Sequence, residues 1–139
     1  MSEHDLRAPD GSLLFHAHEL ACRDTGEVVL APGFADHLVS LRLAWARPMI
    51  VNSCCRSSKH NIAVGGHPRS LHVYDTPHWP TRGTCAIDLE IADCHAAMNL
   101  ALCAADLGWS VGVPRGGFIH LDRREIGGLK PSALFGYGG

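Results

Sequence analysis

Histidines and aspartates in three short stretches are the side chains of this sequence best suited to chemistry. His72 lies in SLHVY, Asp88 in CAIDLEI, and His120 and Asp122 lie in GFIHLD. Two imidazoles and one carboxylate, with a fourth coordination position open, form a donor set typical of catalytic zinc. Zinc bound in this way polarises a carbonyl and activates water, which amide hydrolysis requires. On spacing alone, however, a solvated polar sheet face explains the same residues more simply.

The alternation of polar and apolar residues predicts that each stretch is a strand. Side chains along a strand point alternately to its two faces. Asp88 therefore shares a face with Glu90, opposite an apolar set, and His120 shares a face with Asp122. His72 likewise lies opposite its two apolar neighbours. If the three strands are adjacent in one sheet, the two histidines and Asp88 converge.

The rest of the chain supplies the elements that would position these side chains. Apolar periodicity and end signals predict a helical turn within 15–22, helices at 35–47, 57–66 and 92–108, and strands at 49–55, 71–74, 85–91, 109–113 and 117–123. This order predicts an α+β fold, in which a mainly antiparallel sheet has helices packed on one face.

Length and composition indicate one domain. The chain has 139 residues, of which 46% are hydrophobic, and this is enough to form a core without disulfide staples. We therefore expect a single domain over 1–139. Its N-terminal segment, 1–33, is rich in turn signals, and its tail, 124–139, is rich in glycine and predicted to be irregular.

Charge and hydropathy argue against two classes of partner. Twelve Lys and Arg against 14 Asp and Glu give a net charge of −2, whereas nucleic-acid binders normally carry a basic excess. No apolar run of about 18 residues predicts a membrane span. The polar start MSEHDLRAPDGSLLFH does not resemble a signal peptide. We expect a protein that binds neither nucleic acid nor membrane and carries no export signal.

The six cysteines are predicted to be reduced thiols, most of them buried. They form no C-x-x-C pair, and the adjacent Cys54 and Cys55 have poor geometry for sharing one metal or for an ordinary disulfide. A zinc site built from histidines is therefore favoured over one built from cysteines.

An ordered set of motifs resembles the zinc D-alanyl-D-alanine carboxypeptidase family, which includes the L-alanyl-D-glutamate endopeptidases of phage endolysins. The chain shows VNSCCRSSKHNIAVGGHPRSLH, then GTCAIDL, then GFIHLD. Members of the family show SGYRS, HNxAVGGxxxSxH, GxAxD and a late HxD. The resemblance runs from about FHAHELAC to Asp122, which is most of the chain.

This resemblance implies a function. It implies that His72, Asp88 and His120 bind zinc, within an antiparallel sheet flanked by helices, and that the substrates are the stem peptides of peptidoglycan. An enzyme of phage or prophage origin would fit a chain without an export signal. It would stay in the host cytoplasm until release as an endolysin, or act from the virion tail. The alternative is a structural tail component that contacts phage tail proteins and retains the zinc fold with little or no activity.

The resemblance also assigns roles around the metal. Arg56 survives although SCCRS replaces SGYRS, and its guanidinium would stabilise the oxyanion of the reaction or bind a substrate carboxylate. Ser70 would order the turn that carries His72 or contact substrate.

The resemblance assigns no general base, because related members carry an acid or histidine two or three positions before the last ligand, where this chain has Phe118 and Gly117. Asp122, on the strand face of His120, is the best local candidate for the base, or else it orients His120 through its other ring nitrogen; Glu90 is a more remote option.

An insertion distinguishes this chain from the family pattern HxxGxAxD. Fifteen residues, 73–87, separate His72 from Asp88, and the extra ones centre on VYDTPHWPT. A surface loop tolerates such an insertion because the entropy of loop closure grows slowly with length. His78 and Trp79 in this loop would contact substrate or form a lid, unless Trp79 merely packs the loop down.

Overall fold

The structure of the chain is a computed structural model, and it describes residues 3–76, 82–131 and 134–135. Its elements are β1 (Leu6–Arg7), β2 (Leu13–Phe15), α1 (Ala17–Leu20), α2 (Phe34–Trp45), β3 (Val51–Ser53), α3 (Ser58–Ala63), β4 (Ala86–Glu90), α4 (Cys94–Asp106), β5 (Ser110–Arg115), β6 (Phe118–Asp122), a 3₁₀ helix (Arg124–Gly127) and β7 (Leu134–Phe135). The α+β class predicted from the sequence is confirmed.

Five of the strands form one sheet in the order β3-β4-β6-β5-β7. Every pairing is antiparallel except that of β5 with β7, which is parallel. The pairing of β3 with β4 is irregular between Val51 and Ser53, and this bulge sets Ser53 beside Asp88. Bulges of this kind redirect side chains and are frequent next to active sites. The sheet is therefore mainly antiparallel, as predicted.

The two longer helices, α2 and α4, pack on each other, and α4 packs on the sheet. The N-cap Asp93 starts α4 by accepting a hydrogen bond from Ala96 N at 2.8 Å. The apolar residues of β4 and β6 are buried in the same cluster as the inner residues of α2 and α4. Members of this cluster include Phe34, Leu38, Leu41, Ile87, Leu89, Leu100, Ala104, Ile119 and Leu121.

The segment around His72 is a turn, so the prediction of a strand at 71–74 is wrong. Val73 forms a single isolated bridge with Arg56. Val73 N donates to Ser70 O at 3.2 Å, and His72 N donates to Ser70 Oγ at 3.2 Å. Because the turn uses these backbone donors, a longer ladder cannot form there.

The two ends of the chain contain more regular structure than the sequence indicated. The N-terminal segment forms the β1–β2 hairpin and the short α1, which confirms the helical turn within 15–22. The tail was predicted to be irregular, but it begins with the 3₁₀ helix and adds β7 to the sheet edge. Strand β7 comprises only two residues, which is too short for an alternating pattern that would predict a strand.

None of the helices in the described part of the chain is both long enough and apolar enough to cross a membrane.

Candidate metal centre

Strands β4 and β6 bring two of the predicted ligands directly opposite each other. Their antiparallel register pairs Asp88 with His120 and Ala86 with Asp122. Opposed residues of such a pair project to the same face of the sheet. Asp88 and His120 are 5% and 8% exposed, so the two side chains meet in a largely buried position. The alternation of the sequence predicted this face correctly.

His72 reaches the same place from its turn. Its Nδ1 lies 2.7 Å from the Cys54 carbonyl oxygen, which can only accept, so Nδ1 is the donor. In the neutral ring the lone pair is then on Nε2, which lies 3.2 Å from Asp88 Oδ1 and has no hydrogen-bond partner among the described residues. Burial lowers the pKa of His72 and so favours this neutral ring.

His120 lies between two carboxylates. Its Nδ1 is 2.8 Å from Asp88 Oδ1, and its Nε2 is 2.8 Å from Asp122 Oδ2. Burial alone would lower the pKa of His120, but the hydrogen bonds with Asp122 and Asp88 outweigh burial and raise that pKa. Asp122 therefore binds the ring nitrogen that faces away from Asp88, and the ring orientation is fixed from both sides.

The three side chains fit a metal ion. Each of His72, Asp88 and His120 offers one ligand atom, and these atoms all lie within 4.8 Å of one another. Burial alone would raise the pKa of Asp88, but the adjacent His72 and His120 outweigh burial and hold that pKa well below its ordinary value. A buried carboxylate and a buried imidazole nitrogen without a hydrogen-bond partner are the donors that zinc binds. Over residues 3–76, 82–131 and 134–135, no other His, Cys, Asp and Glu group is this compact.

Arg56 lies at the edge of this cluster. Its Nη2 is 3.5 Å from Asp88 Oδ2, its Nε donates to Ser53 Oγ at 3.1 Å, and its Nη1 donates to Asn61 Oδ1 at 3.1 Å. The side chain is 15% exposed. Nη1 and Nη2 each keep an N–H group without a partner among the described residues, so the guanidinium can still bind an anionic oxygen.

The remaining predicted residues divide into three groups. Ser70 is near the site because its hydroxyl accepts from His72 N. Glu90 is exposed at the end of β4, two residues beyond Asp88. His78 and Trp79 lie outside the described residues, so their predicted contact with substrate stays a prediction.

Three contributions to the site were not predicted from the sequence. Arg124 forms two side-chain hydrogen bonds with Asp122, at 3.0 and 2.9 Å, and a backbone bond from its N–H at 3.1 Å. Asn61 holds Arg56, and the Cys54 carbonyl orients His72. Asn61 and Cys54 lie within the motif VNSCCRSSKHNIAVGGHPRSLH, and this was the only sequence feature that could have indicated them. Arg124 follows the last motif, GFIHLD, and no sequence feature indicated it.

The six cysteines contribute no disulfide, and four of them are buried, as expected. The pKa of Cys54 is raised well above its ordinary value, first by its contact with the Cys55 thiol and then by burial. Cys54 therefore stays a neutral thiol, and its contribution to the site is its backbone carbonyl.

Comparison with known families agrees with this geometry. A family model described as Peptidase M15 matches residues 14–122, which include Arg56, His72, Asp88, His120 and Asp122. No curated protein matches the chain at a significant level. The family match covers most of the chain and confirms the resemblance to zinc peptidases of the D-alanyl-D-alanine carboxypeptidase type. The chain therefore belongs to the peptidase M15 family.

Proposed function

We propose that the chain is a zinc-dependent peptidase that hydrolyses amide bonds in the stem peptides of peptidoglycan. The observation that carries this proposal is the convergence of His72, Asp88 and His120 on one buried position in a chain of the M15 family. These three side chains would hold the metal. Zinc, when bound, supplies Lewis-acid polarisation of the scissile carbonyl and activation of water.

Arg56 is proposed to stabilise the negative charge that develops on the carbonyl oxygen during hydrolysis. Its guanidinium is held by hydrogen bonds to Ser53 and Asn61, with Asp88 Oδ2 at 3.5 Å, and so needs little reorganisation when charge appears. Fixed donors of this kind act more strongly in a water-poor site than in solution. The N–H groups of Nη1 and Nη2 that have no partner among the described residues are the ones that would bind the oxygen.

Asp122 is proposed to orient His120 rather than to act as the general base. Both of its oxygens are already engaged, Oδ2 by His120 and Arg124 and Oδ1 by Arg124, and the residue is fully buried. Burial alone would raise the pKa of Asp122, but the hydrogen bonds with His120 and Arg124 lower it. A carboxylate held in this way is a poor acceptor for a substrate proton and a good partner for a metal-binding imidazole.

The substrate contacts and biological setting are part of the same proposal. Ser70 would order the His72 turn and lie at the edge of the substrate site, and His78 and Trp79 would contact the stem peptide from the inserted loop. A phage or prophage endolysin, or a tail-associated wall hydrolase, is the setting we propose. The partners would then be peptidoglycan stem peptides and, for a tail enzyme, phage tail proteins.

The direct test is hydrolysis of a soluble stem pentapeptide that contains both the L-Ala–D-Glu and the D-Ala–D-Ala bonds. We expect the zinc-loaded protein to cleave one of these bonds, and a chelator to stop the reaction. Mass spectrometry of the products identifies the bond. An uncleaved peptide, together with uncleaved purified peptidoglycan, would contradict the proposal and favour a structural component that keeps only the fold.

The Arg56→Ala variant tests the proposed role of the guanidinium. We expect zinc binding to be retained and kcat to fall by roughly 100-fold, because removing one donor to a developing oxyanion typically costs 10²–10³-fold. Arg69→Ala, which removes an exposed arginine from the nearby loop, is the matched control and should leave kcat unchanged. Full activity of Arg56→Ala would refute the oxyanion role.

A further inference from the structure

Asn61 is a buried polar side chain whose two ends both have partners. It is 2% exposed and lies in α3. Its Nδ2 donates to the His67 carbonyl at 2.9 Å, and its Oδ1 accepts from Arg56 Nη1 at 3.1 Å. Because the His67 carbonyl can only accept and the guanidinium can only donate, the carboxamide has one orientation that satisfies both.

Gly66 provides the space for this contact. A Cβ built on Gly66 would lie 2.1 Å from Asn61 Oδ1 and 3.1 Å from Arg56 Nη1. Gly66 N also donates to the Asn61 backbone carbonyl at 2.8 Å, so the loop is fixed against the end of α3. Any side chain at position 66 would therefore displace the carboxamide from the guanidinium.

The position of Arg56 matters because a stronger partner lies next to it. Asp88 Oδ2 is 3.5 Å from Nη2, which is too long for a good charge-assisted hydrogen bond. Without Asn61, attraction between the two charges would draw the guanidinium towards Asp88. A closer ion pair would occupy the N–H groups that a substrate oxygen needs and would compete for a carboxylate that faces the metal position.

We propose that Asn61 is a positioning residue, whose carboxamide oxygen holds the Arg56 guanidinium away from Asp88 and directed at the reacting carbonyl. This inference rests on the proposed function of Arg56. Gly66 serves the same contact by leaving room for the carboxamide. Asn61 does not contact the reacting atoms, so it acts through Arg56.

The first test observes Arg56 directly, by ¹⁵N NMR of its guanidinium in the resting protein, with Arg56→Ala identifying the signal. We expect a slowly rotating guanidinium in the wild type and a shifted signal in Asn61→Ala and in Gly66→Ala. Asn61→Asp keeps an oxygen that accepts from Arg56 but loses the donor to His67, so its guanidinium should still rotate slowly, as in the wild type. Asn52→Ala, an exposed asparagine of β3, is the matched control.

The second test is a double-mutant cycle on hydrolysis of the stem pentapeptide at saturating zinc. Asn61→Ala should lower kcat roughly 10-fold in the wild-type background and less than about 2-fold in the Arg56→Ala background, because the two residues form one unit. Asn61→Asp should lose less activity than Asn61→Ala. A residue that only supports the loop through His67 would give equal losses in both variants and in both backgrounds.

The outcomes separate the two proposals. An unchanged Arg56 signal in Asn61→Ala and Gly66→Ala, or additive losses in the cycle, would overturn the role of Asn61. If Asn61→Ala does not fold, the Gly66→Ala variant becomes the test of the role of Asn61, because it keeps the carboxamide but displaces it from the guanidinium. Failure of the zinc-loaded wild type to cleave the peptide would refute the proposed function instead, and the NMR result would still decide whether Asn61 positions Arg56.

Discussion

Four side chains of the site are linked in one hydrogen-bonded chain. Arg124 donates a hydrogen bond to Asp122, and the two ring nitrogens of His120 are hydrogen-bonded to Asp122 and to Asp88. Residue type and alternation were enough to predict the face that carries Asp88, His120 and Asp122. Arg124 could not be predicted in the same way, because its contact with Asp122 depends on the turn that follows β6, which has no sequence motif.

The substitution Asp122→Asn separates the two roles considered for this carboxylate. If Asp122 orients His120, the variant should bind zinc about 10-fold more weakly and recover most of its turnover at saturating zinc, since partners of ligating histidines typically contribute 10–100-fold to metal affinity. Zinc titration and kcat at saturation are the measurements. Unchanged zinc affinity with lost turnover would instead support a general base.

A bulge and a turn position two residues of the site that regular strands do not place there. The bulge in β3 sets Ser53 beside Asp88, and the turn at Ser70 delivers His72. Helices and strands with strong periodicity were located to within a few residues from the sequence, as for α2 and α4. The strand predicted at 71–74 failed because apolar alternation over four residues does not reveal that a turn consumes the backbone donors.

Gly83 lies outside the site but supports the segment that positions the metal ligand His72. Its φ is +116°, and a Cβ there would lie 2.4 Å from Ala31 N. The next residue, Thr84, donates its hydroxyl to the His72 carbonyl at 2.7 Å and its amide to Val29 O at 2.8 Å. A side chain at Gly83 would therefore disturb the segment that supports the metal ligand.

We expect Gly83→Ala to lower the free energy of unfolding by about 2 kcal/mol or more, because it adds a backbone clash to an unfavourable φ. Gly11→Ala is the matched control, since Gly11 has a φ of +89° and nothing within 4 Å of its Cβ position. It should cost only about 1 kcal/mol. Equal losses in the two variants, measured by denaturant unfolding, would show that the contact with Ala31 is unimportant.

At the scale of the whole molecule, the core of the described residues is formed mainly by α2, α4 and the five-stranded sheet, and the candidate site concentrates buried charge beside that core. Such buried charges are costly unless their partners are complete. The composition and the polar–apolar pattern predicted the α+β class and the sheet, because these features of the fold depend on many residues at once. The β7 pairing and the N-terminal hairpin could not be predicted, since each rests on strands of two or three residues, which are too short to show an alternating pattern.

Zinc should stabilise the folded chain as a whole. A ligand that binds only the native state adds about 2.7 kcal/mol at a concentration of 100 Kd, which corresponds to a rise of roughly 10 °C in Tm for a chain of this size. Thermal unfolding with zinc, and with chelator, is the measurement. Asp88→Asn should abolish the rise. A Tm that does not respond to zinc in the wild type would mean that the folded state has no such site.

Zinc content per chain, measured after loading and desalting, tests most directly whether His72, Asp88 and His120 form a metal site. We predict one zinc per wild-type chain and almost none in His120→Ala, with a modest loss of stability. His95→Ala, which removes an exposed histidine of α4, should keep one zinc. A wild type without zinc, or stoichiometric zinc of unchanged affinity in His120→Ala, would contradict the assignment.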